Sequence, residues 1–290
     1  MKVFVTGASG FVGRATTAAL IEAGHQVVGL ARHPATLGGG AELIVGDVTQ
    51  AGPWQERAGA CDAIIHLAGA SIAGKRWSAS WKAAISDSRV EGTRRVAECR
   101  PKILLCAGGV DYYPFDDSDR PYGEDAGRGD TFLARVCAAW EVEAERAAGA
   151  RVVCFRTGVV LGRGGAIPRM AVPFKLWIGG PVATGRQWFS WIALADVVGA
   201  YLFALGHEAV RGPINLVGPE AVRQKAVARA LGEALGRPSW APVPGPVLRL
   251  AVGELADYLE HGRHVVPAAL ERLGYAFQHA SLASALTASV

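Results

Sequence analysis

Short, nearly continuous hydrophobic runs alternate with amphipathic segments through the first 160 residues of the chain. The runs predict buried parallel strands at 2–6, 26–31, 42–46, 63–68, 102–106 and 151–155. Apolar residues at helical spacing predict helices near 11–23, 79–98 and 130–148. This alternation predicts an α/β fold, a doubly wound parallel sheet with helices on both faces.

The pattern loosens after residue 160. A glycine-rich stretch and an aromatic stretch come first, and then a predicted helix at 195–205 and a strand at 213–217. From about residue 220 the spacing of apolar residues is again helical. We therefore predict one sheet domain over 1–219, with an inserted lobe segment at about 164–187, and a small, mostly helical C-terminal lobe over 220–290.

Composition narrows the class of protein. Half of the 290 residues are hydrophobic and 19% are charged, which excludes a disordered chain. The net charge is only +4 and the basic residues are scattered, so neither nucleic acid nor a membrane surface is an expected partner. Five cysteines without metal or disulfide spacing, and a first strand that leaves no room for a signal peptide, predict a cytoplasmic protein. A homo-oligomer remains open.

The segment TGASGFVGR between the first strand and the first helix indicates a dinucleotide site. Gly7 would allow the tight turn, Gly10 the approach of a pyrophosphate, and Gly13 the close packing of helix on sheet. The helix N-terminus would supply N–H donors and a positive partial charge. The alternative is an ordinary glycine-rich turn. The predicted cofactor-binding loop also includes Ser9, Phe11 and Val12.

Arg32 favours NADP(H) over NAD(H). It follows Ala31 at the end of the second strand, where NAD-binding proteins commonly carry an acidic residue for the ribose 2′-hydroxyl. A guanidinium suits a 2′-phosphate, although a solvated arginine would fit the same place. Arg89 lies on the apolar face of the helix 79–98, where a charge needs a partner. A cofactor phosphate or a structural carboxylate would serve.

Several further motifs extend along nearly the whole chain, including HLAGASIAGKRWS, RTGVVLG, GGPVATGRQWFSWI and GRHVVPAALERLGYAF. With TGASGFVGR they resemble the extended short-chain dehydrogenases/reductases, and within them the atypical epimerase-like branch of the NAD(P)-dependent epimerases and dehydratases. The resemblance implies that Leu67, Ala68 and Gly69 line the nicotinamide ribose. It also places Arg89 where typical members have a cofactor-side asparagine, and Val159 beside the nicotinamide.

The chain departs from this family where the chemistry belongs. Typical members use a Ser or Thr after the fifth strand and a Tyr-x-x-x-Lys on the next helix, whose tyrosine acts as acid or base. The corresponding positions here hold Gly108, Leu133 and Cys137, and the familiar His and Asp near residue 195 are replaced by Ala193 and Ala195. The catalytic residues are therefore unknown. The candidates that could replace them are Asp111, Tyr112 and Tyr113, with Tyr122 and Cys137 as weaker ones.

The second half offers a possible substrate surface. Lys175, Arg186 and Trp188 could contact a ligand, although the aromatic residues could equally form a seam between lobe and sheet. His261 and His264 resemble half a metal site, but nothing in the sequence completes it, so no metal is expected. Two hypotheses remain. One is an NADP(H)-binding oxidoreductase or epimerase-like protein acting on an unknown small molecule, and the other is a non-catalytic NADPH-binding sensor or scaffold.

Overall fold

A seven-stranded parallel sheet forms the centre of the protein. The computed structural model describes residues 1–290, and the sheet order is β3-β2-β1-β4-β5-β7-β10. Two small parallel sheets, β8-β9 and β6-β11, accompany it. The strands are β1 (Lys2–Thr6), β2 (Gln26–Ala31), β3 (Glu42–Val45), β4 (Ala63–His66), β5 (Ile103–Gly109), β6 (Pro121–Tyr122), β7 (Arg151–Thr157), β8 (Val159–Leu161), β9 (Trp191–Ala193), β10 (Gly212–Leu216) and β11 (His264–Val265).

Eleven α-helices surround the sheets, and a short 3-10 turn over Val110–Tyr112 follows β5. The helices are α1 (Phe11–Glu22), α2 (Trp54–Gly59), α3 (Ala79–Glu98), α4 (Phe132–Glu145), α5 (Ile167–Lys175), α6 (Leu194–Gly206), α7 (Gln224–Leu235), α8 (Gly245–Val252), α9 (Leu255–Glu260), α10 (Ala268–Arg272) and α11 (Leu282–Ser289). No helix has both the length and the apolar character that crossing a bilayer requires.

The hydrophobic runs form strands because both faces of the sheet are covered. Along β1, Val3 and Val5 pack into the core beneath α1 and α6, whereas Phe4 packs into the opposite core beneath α2, α3 and α4. Ile64 and Ile65 of β4 alternate in the same way. A strand buried on both faces has no polar side, so its sequence is continuously apolar. The prediction of a doubly wound parallel sheet is confirmed.

The strand ends differ from the prediction near the site. β4 stops at His66 rather than at residue 68, because β1 ends at Thr6. The Leu67 N–H is shared between the carbonyl oxygen and the hydroxyl of Thr6, and the Ala68 N–H donates to that hydroxyl. β5 and β7 continue to Gly109 and Thr157, which are paired in register. These extensions carry the carboxyl ends of the two strands toward the expected catalytic positions.

The C-terminal region shares a core with earlier parts of the chain. Its helices α7 and α11 bury apolar side chains against β8, β9 and α5. Asp196, buried at the start of α6, accepts hydrogen bonds from the backbone N–H groups of Gln278 (2.6 Å) and His279 (3.0 Å) and so holds the terminal segment. The boundary at residue 219 stays a prediction. Apolar members of the shared core include Leu161, Phe174, Trp191, Val227, Leu231, Leu282 and Leu286.

Candidate cofactor and substrate site

The candidate cleft lies at the carboxyl ends of β1 and β4, where the strand order changes direction. From β1 the chain continues outward to β2 and β3, and it then returns to β4 on the other side of β1. The connections leave these two neighbouring strands on opposite sides, so a crevice opens above them. All of the predicted cofactor residues between Gly7 and Gly69 lie in segments that end at or border this crevice.

The glycines of the first loop are required by its geometry. Gly7 has φ of +67°, and a Cβ there would lie 2.9 Å from the backbone nitrogen of Ala68. A Cβ on Gly13 would lie 2.1 Å from the carbonyl oxygen of Gly7, which no relaxation of a side chain could relieve. Gly10 caps α1 without a side chain, and the first turn of α1 has no acidic residue. The helix N-terminus is therefore open to an anion.

Two arginines border this loop, and they differ in their partners. Arg14 donates to the carbonyl oxygens of Ser9 (2.9 Å) and Thr36 (2.9 Å), so it holds the loop. Arg32, one residue beyond the buried Ala31, is exposed and has no hydrogen bond or ion pair within the chain. Its guanidinium is thus free for a ligand at the end of β2.

The residues after the first glycines are held from the other side of the cleft. Phe11 packs against the glycine-rich loop after β8, since a Cβ on Gly162 or Gly165 would lie 2.9 or 2.6 Å from its ring. Val12 is half-buried against the core that contains β1. Val159 is half-buried at the start of β8, where its N–H donates to the carbonyl oxygen of Ser190 at 2.8 Å. These contacts hold the loop that follows β8 against the start of α1.

Thr6 and His66 fix the path of the backbone after β4. The Thr6 hydroxyl accepts the N–H groups of Leu67 (3.1 Å) and Ala68 (3.2 Å), which leaves its own proton for the His66 Nδ1 at 2.7 Å. His66 Nε2 then carries the ring proton and is buried without a partner. Burial, together with the charge of Arg89, lowers the pKa of His66 to about 3. The imidazole is neutral at physiological pH and acts as a fixed hydrogen-bond acceptor.

Arg89 is a half-buried cation without a carboxylate partner. Its Nη1 donates to the carbonyl oxygens of Ala70 (3.0 Å) and Ile85 (3.1 Å), and its guanidinium lies 5.1 Å from the Trp140 ring. A Cβ on Gly69 would lie 3.4 Å from that guanidinium. Burial lowers the pKa of Arg89. The sequence left two partners open for Arg89, and the structure has no carboxylate there. Arg89 lies beside Gly69 and not at the glycine loop of the first helix.

The three positions of the usual catalytic set hold no proton donor suited to neutral pH. A Cβ on Gly108 would lie 2.9 Å from the carbonyl oxygen of Phe155, so no serine or threonine fits there. Leu133 is 2% exposed and packs in the core. Cys137 is 7% exposed, and burial together with the charge of Asp111 raises its pKa to about 12. A buried, protonated thiol cannot replace the family's lysine.

Tyr112 and Tyr113 serve a buried ion pair instead of the cleft. Arg156 makes a two-pronged salt bridge to Glu141, with both N···O distances at 2.8 Å. Tyr113 is fully buried, accepts from Arg156 at 2.9 Å and donates to Asn215 at 2.6 Å. The Tyr112 ring lies 3.5 Å from the same guanidinium. Burial raises the pKa of Tyr113 to about 12. The expectation that Tyr113 reaches the pocket mouth is therefore wrong.

Asp111 is the candidate that does border the catalytic positions. Its Oδ2 lies 3.9 Å, and the Cys137 sulfur 3.6 Å, from the point where a Cβ on Gly109 would stand. Its Oδ1 accepts from Arg263 Nη1 at 2.7 Å. The Arg263 side chain is 7% exposed, and its Nη2 is buried without a partner. The sequence analysis missed Arg263, whose only signal was its place in the motif GRHVVP.

The remaining candidates are engaged elsewhere or exposed. Tyr122 donates to Asp116 at 2.7 Å. Trp188 stacks on His264 at 4.3 Å between ring centroids and donates to the carbonyl oxygen of Ser118, which is the seam that the sequence left as an alternative. Lys175 and Arg186 are exposed, at the end of α5 and in the following loop. No group of three or more His, Cys, Asp or Glu side chains is arranged to hold a metal ion.

Comparison with known families gives two matches along the chain. The model of the NAD dependent epimerase/dehydratase family matches residues 3–218. A second model, described as a domain of unknown function (DUF1731), matches residues 243–289. The first match contains the glycine loop, Arg32, Arg89 and the whole of the central sheet, and the second contains Arg263.

Individual relatives resemble the chain over its full length. An epimerase family protein of Mycobacterium tuberculosis is 38% identical, covering 98% of this chain and 96% of the relative. The crystal structure of human epimerase family protein SDR39U1 with NADPH is 33% identical, has a TM-score of 0.89, and covers 99% of this chain and 98% of that one. A nucleoside-diphosphate sugar epimerase from Corynebacterium glutamicum has a TM-score of 0.79 at 31% identity, covering 100% of this chain and 58% of its own.

Proposed function

The chain belongs to the NAD dependent epimerase/dehydratase family, and from that membership we propose that it is an NADP(H)-binding oxidoreductase or epimerase-like enzyme. Its substrate would be a small molecule, and it would work without the usual Ser, Tyr and Lys. The observation that carries this proposal is the pairing of an intact glycine loop with the free guanidinium of Arg32. A relative of nearly the same length, human SDR39U1, has been crystallised with NADPH.

The residues of the cleft fit a phosphorylated dinucleotide. Gly7, Gly10 and Gly13 leave the backbone bare where a pyrophosphate approaches, and the uncapped N-terminus of α1 offers N–H donors to it. Arg32 supplies the charge that a 2′-phosphate requires. A guanidinium already bound to a carboxylate could not do so without losing that partner, and Arg32 has none.

At the other end of the cleft, Arg89 would bind the nicotinamide ribose. It would replace the missing lysine from a different helix. Its guanidinium lies against Gly69 and uses only Nη1 for hydrogen bonds within the chain, so its other N–H groups can bind a ligand. Buried cations need hydrogen-bond partners, and ribose hydroxyls can supply them. The bound cofactor would supply or accept a hydride there. Leu67 and Ala68, held by Thr6, would form the floor beneath it.

A non-catalytic sensor or scaffold remains the competing function. The observation that favours it is the burial of Leu133 and Cys137, which leaves α4 without a proton donor. Positioning alone can supply a large part of the acceleration of a hydride transfer, so this loss does not decide the matter. The two functions differ in whether bound NADPH is consumed.

Two measurements test the proposal. NADPH should raise the melting temperature more than NADH at equal concentration, because only NADPH carries the phosphate that Arg32 can bind. Equal shifts would remove the basis for NADP(H). The NADPH complex should then be mixed with a panel of aromatic and aliphatic carbonyl compounds while the reduced nicotinamide absorbance is followed. Oxidation with any of them supports an enzyme, and none across the panel supports the sensor.

A further inference from the structure

A tyrosine from the C-terminal region lies at the start of the helix that lost its own. Tyr258 is carried by α9, and its phenol oxygen accepts the backbone N–H of Leu133 at 3.1 Å. Leu133 is the residue that stands at the family's tyrosine position. The chain therefore brings a phenol oxygen into hydrogen-bond contact with the backbone at that position, from a residue 125 positions farther along the sequence.

The Tyr258 side chain is held at its oxygen and along its ring. The N–H that its oxygen accepts lies in the first turn of α4, which the Thr131 hydroxyl caps by accepting from Ala134 N–H at 3.2 Å. The Tyr258 ring packs against Trp77 (5.3 Å between centroids) and Phe115 (5.1 Å). With its oxygen and ring fixed in this way, the side chain has a defined position at the N-terminus of α4.

Tyr258 is linked through Phe115 to the polar pair beside the turn after β5. Phe115 packs on the Tyr258 ring and also lies 5.1 Å from the Arg263 guanidinium. Arg263 donates to Asp111, which borders Gly109 and Cys137, and its buried Nη2 has no partner. Two side chains from the region after residue 219 thus lie next to the turn after β5 and the start of α4.

We propose that Tyr258 is the proton donor of the reaction, replacing in space the tyrosine that α4 lacks. This inference rests on the proposed hydride-transfer function. It assigns to the C-terminal region a catalytic residue as well as a part in the fold. Trp77 and Phe115 pack on the Tyr258 ring, and Phe132 packs on Trp77, so aromatic side chains surround this residue. A planar, conjugated carbonyl compound is therefore the substrate class to test.

The step balances with the groups at hand. In the reducing direction the bound cofactor would supply a hydride to the substrate's carbonyl carbon, and the C=O π bond would break. The carbonyl oxygen takes the proton of the Tyr258 O–H, which donates to no acceptor within the chain. The products are an alcohol, the oxidised cofactor and a Tyr258 phenolate. The phenolate is stabilised by the Leu133 N–H and the positive end of α4 until solvent returns a proton.

The protonation state agrees with a donor role. Burial raises the pKa of Tyr258 above its usual value, and the charge of Asp111 adds to this, whereas the hydrogen bond from Leu133 and the charge of Arg263 oppose it. The phenol is therefore protonated at neutral pH. A group in that state can give a proton to a developing alkoxide but cannot serve as the base that removes one.

The decisive experiment compares two cofactors that differ by one positive charge. Tyrosine labelled with carbon-13 on the ring is incorporated, and the Tyr258 NMR signal is assigned by its loss in Tyr258→Phe. Next to the nicotinamide, the Tyr258 phenol should titrate about one pH unit lower with NADP⁺ than with NADPH. Identical titrations in the two complexes would overturn the inference, even if carbonyl reduction is observed. Failure of NADPH to bind at all would instead overturn the proposed function.

A kinetic experiment adds a second, independent readout. With phenanthrenequinone as the planar probe, Tyr258→Phe should lower kcat about 100-fold, in the range typical of a general acid, and leave the KM for NADPH unchanged. Tyr275→Phe is the matched control, because it removes a phenol oxygen that donates to the Asp196 carbonyl at 3.0 Å in the terminal segment. Equal kcat values for wild type and Tyr258→Phe would contradict a donor role.

Discussion

The two ends of the cleft are constructed on different principles. At the glycine loop the site is made of backbone, and its residues from Gly7 to Gly13 are contiguous in the chain. At the other end, where we propose that the nicotinamide binds, the polar groups are side chains from α3, the turn after β5, α9 and the segment before β11. The first end keeps the family's pattern in full, and the second has lost all three of its usual residues.

The difference shows which part of such a site can change. A backbone cradle tolerates no added atoms, since a single Cβ on Gly13 would overlap a carbonyl oxygen. A side-chain site can be rebuilt from other segments, provided that each new polar group arrives with partners. Arg263 donates a hydrogen bond to Asp111, and Tyr258 accepts one from the Leu133 N–H. The chemistry can therefore move between segments while the cofactor loop stays constant.

The largest effect is expected from breaking the buried ion pair that supports the side-chain end. Glu141→Gln would leave the Arg156 guanidinium, whose side chain is 4% exposed, without its counter-charge. We expect the free energy of unfolding to fall by about 3 kcal/mol or more. Glu233→Gln, which breaks an exposed pair with Arg229, is the control and should change it by less than about 0.5 kcal/mol. Urea unfolding measures both, and equal losses would mean that burial adds nothing.

The backbone end should respond to a single methyl group. Gly13→Ala should destabilise the protein by about 2 kcal/mol and abolish NADPH binding, because the loop must move to relieve a 2.1 Å contact. Gly206→Ala adds the same methyl group at the end of α6, where nothing lies within 4 Å, and should be neutral. Thermal unfolding with and without NADPH measures both effects. A Gly13→Ala protein with wild-type cofactor affinity would show that the loop is not the cradle.

At the backbone end, Arg32 should distinguish NADPH from NADH. Arg32→Ala should weaken NADPH binding by about 1.5 kcal/mol, close to tenfold in Kd, and leave NADH almost unchanged. The reason is that only the 2′-phosphate uses the guanidinium. Arg229→Ala, an exposed arginine on α7, controls for the loss of one charge. Calorimetric titration of the wild type and the two variants gives six affinities, and a uniform loss for both cofactors in Arg32→Ala would contradict the assignment.

The smallest effect is a dependence of the free energy of unfolding on pH, and it arises from His66, which lies between the two ends of the cleft. The unfolded chain gains a proton on His66 below about pH 6.5, whereas the folded chain resists until about pH 3. The folded state thus binds fewer protons in this window, so the free energy of unfolding decreases as the pH falls, by at most about 1.4 kcal/mol per pH unit. In His66→Gln this part of the slope should disappear. The free energy of unfolding of wild type and His66→Gln is measured from pH 7 to 5. If both proteins lose stability equally as the pH falls, the prediction is wrong.

Local patterns explain why the fold and the cofactor loop were predictable. Continuous apolar runs report burial on both sheet faces, and the spacing of Gly7, Gly10 and Gly13 reports a turn whose contacts are made within the segment and with its neighbouring strands. The burial of Arg89 was also readable from the face of its helix. Its partners were not, because the carbonyl of Ala70 belongs to a loop that no periodicity describes.

Contacts between side chains of distant segments could not be predicted from the sequence. Tyr113 reads as a loop tyrosine near the active site, yet its neighbours Asn215 and Arg156 draw it into the core. Asp111 reads as one loop acid among several until Arg263, 152 positions away, is placed beside it. Neither pair leaves a periodic signal, since a contact between two single residues of separate elements repeats nowhere in the sequence.

The sequence by itself determined the layered sheet, the cofactor loop and the loss of the usual catalytic residues. Each of these can be read from consecutive residues or from a regular spacing, because burial on both sheet faces and a tight turn each leave a local pattern in the sequence. Only the tertiary structure decided which polar groups lie next to those positions. Packing of the C-terminal region against α4 and the turn after β5 places Tyr258 on the Leu133 N–H and Arg263 on Asp111, and that packing depends on the shapes of surfaces far apart in the chain.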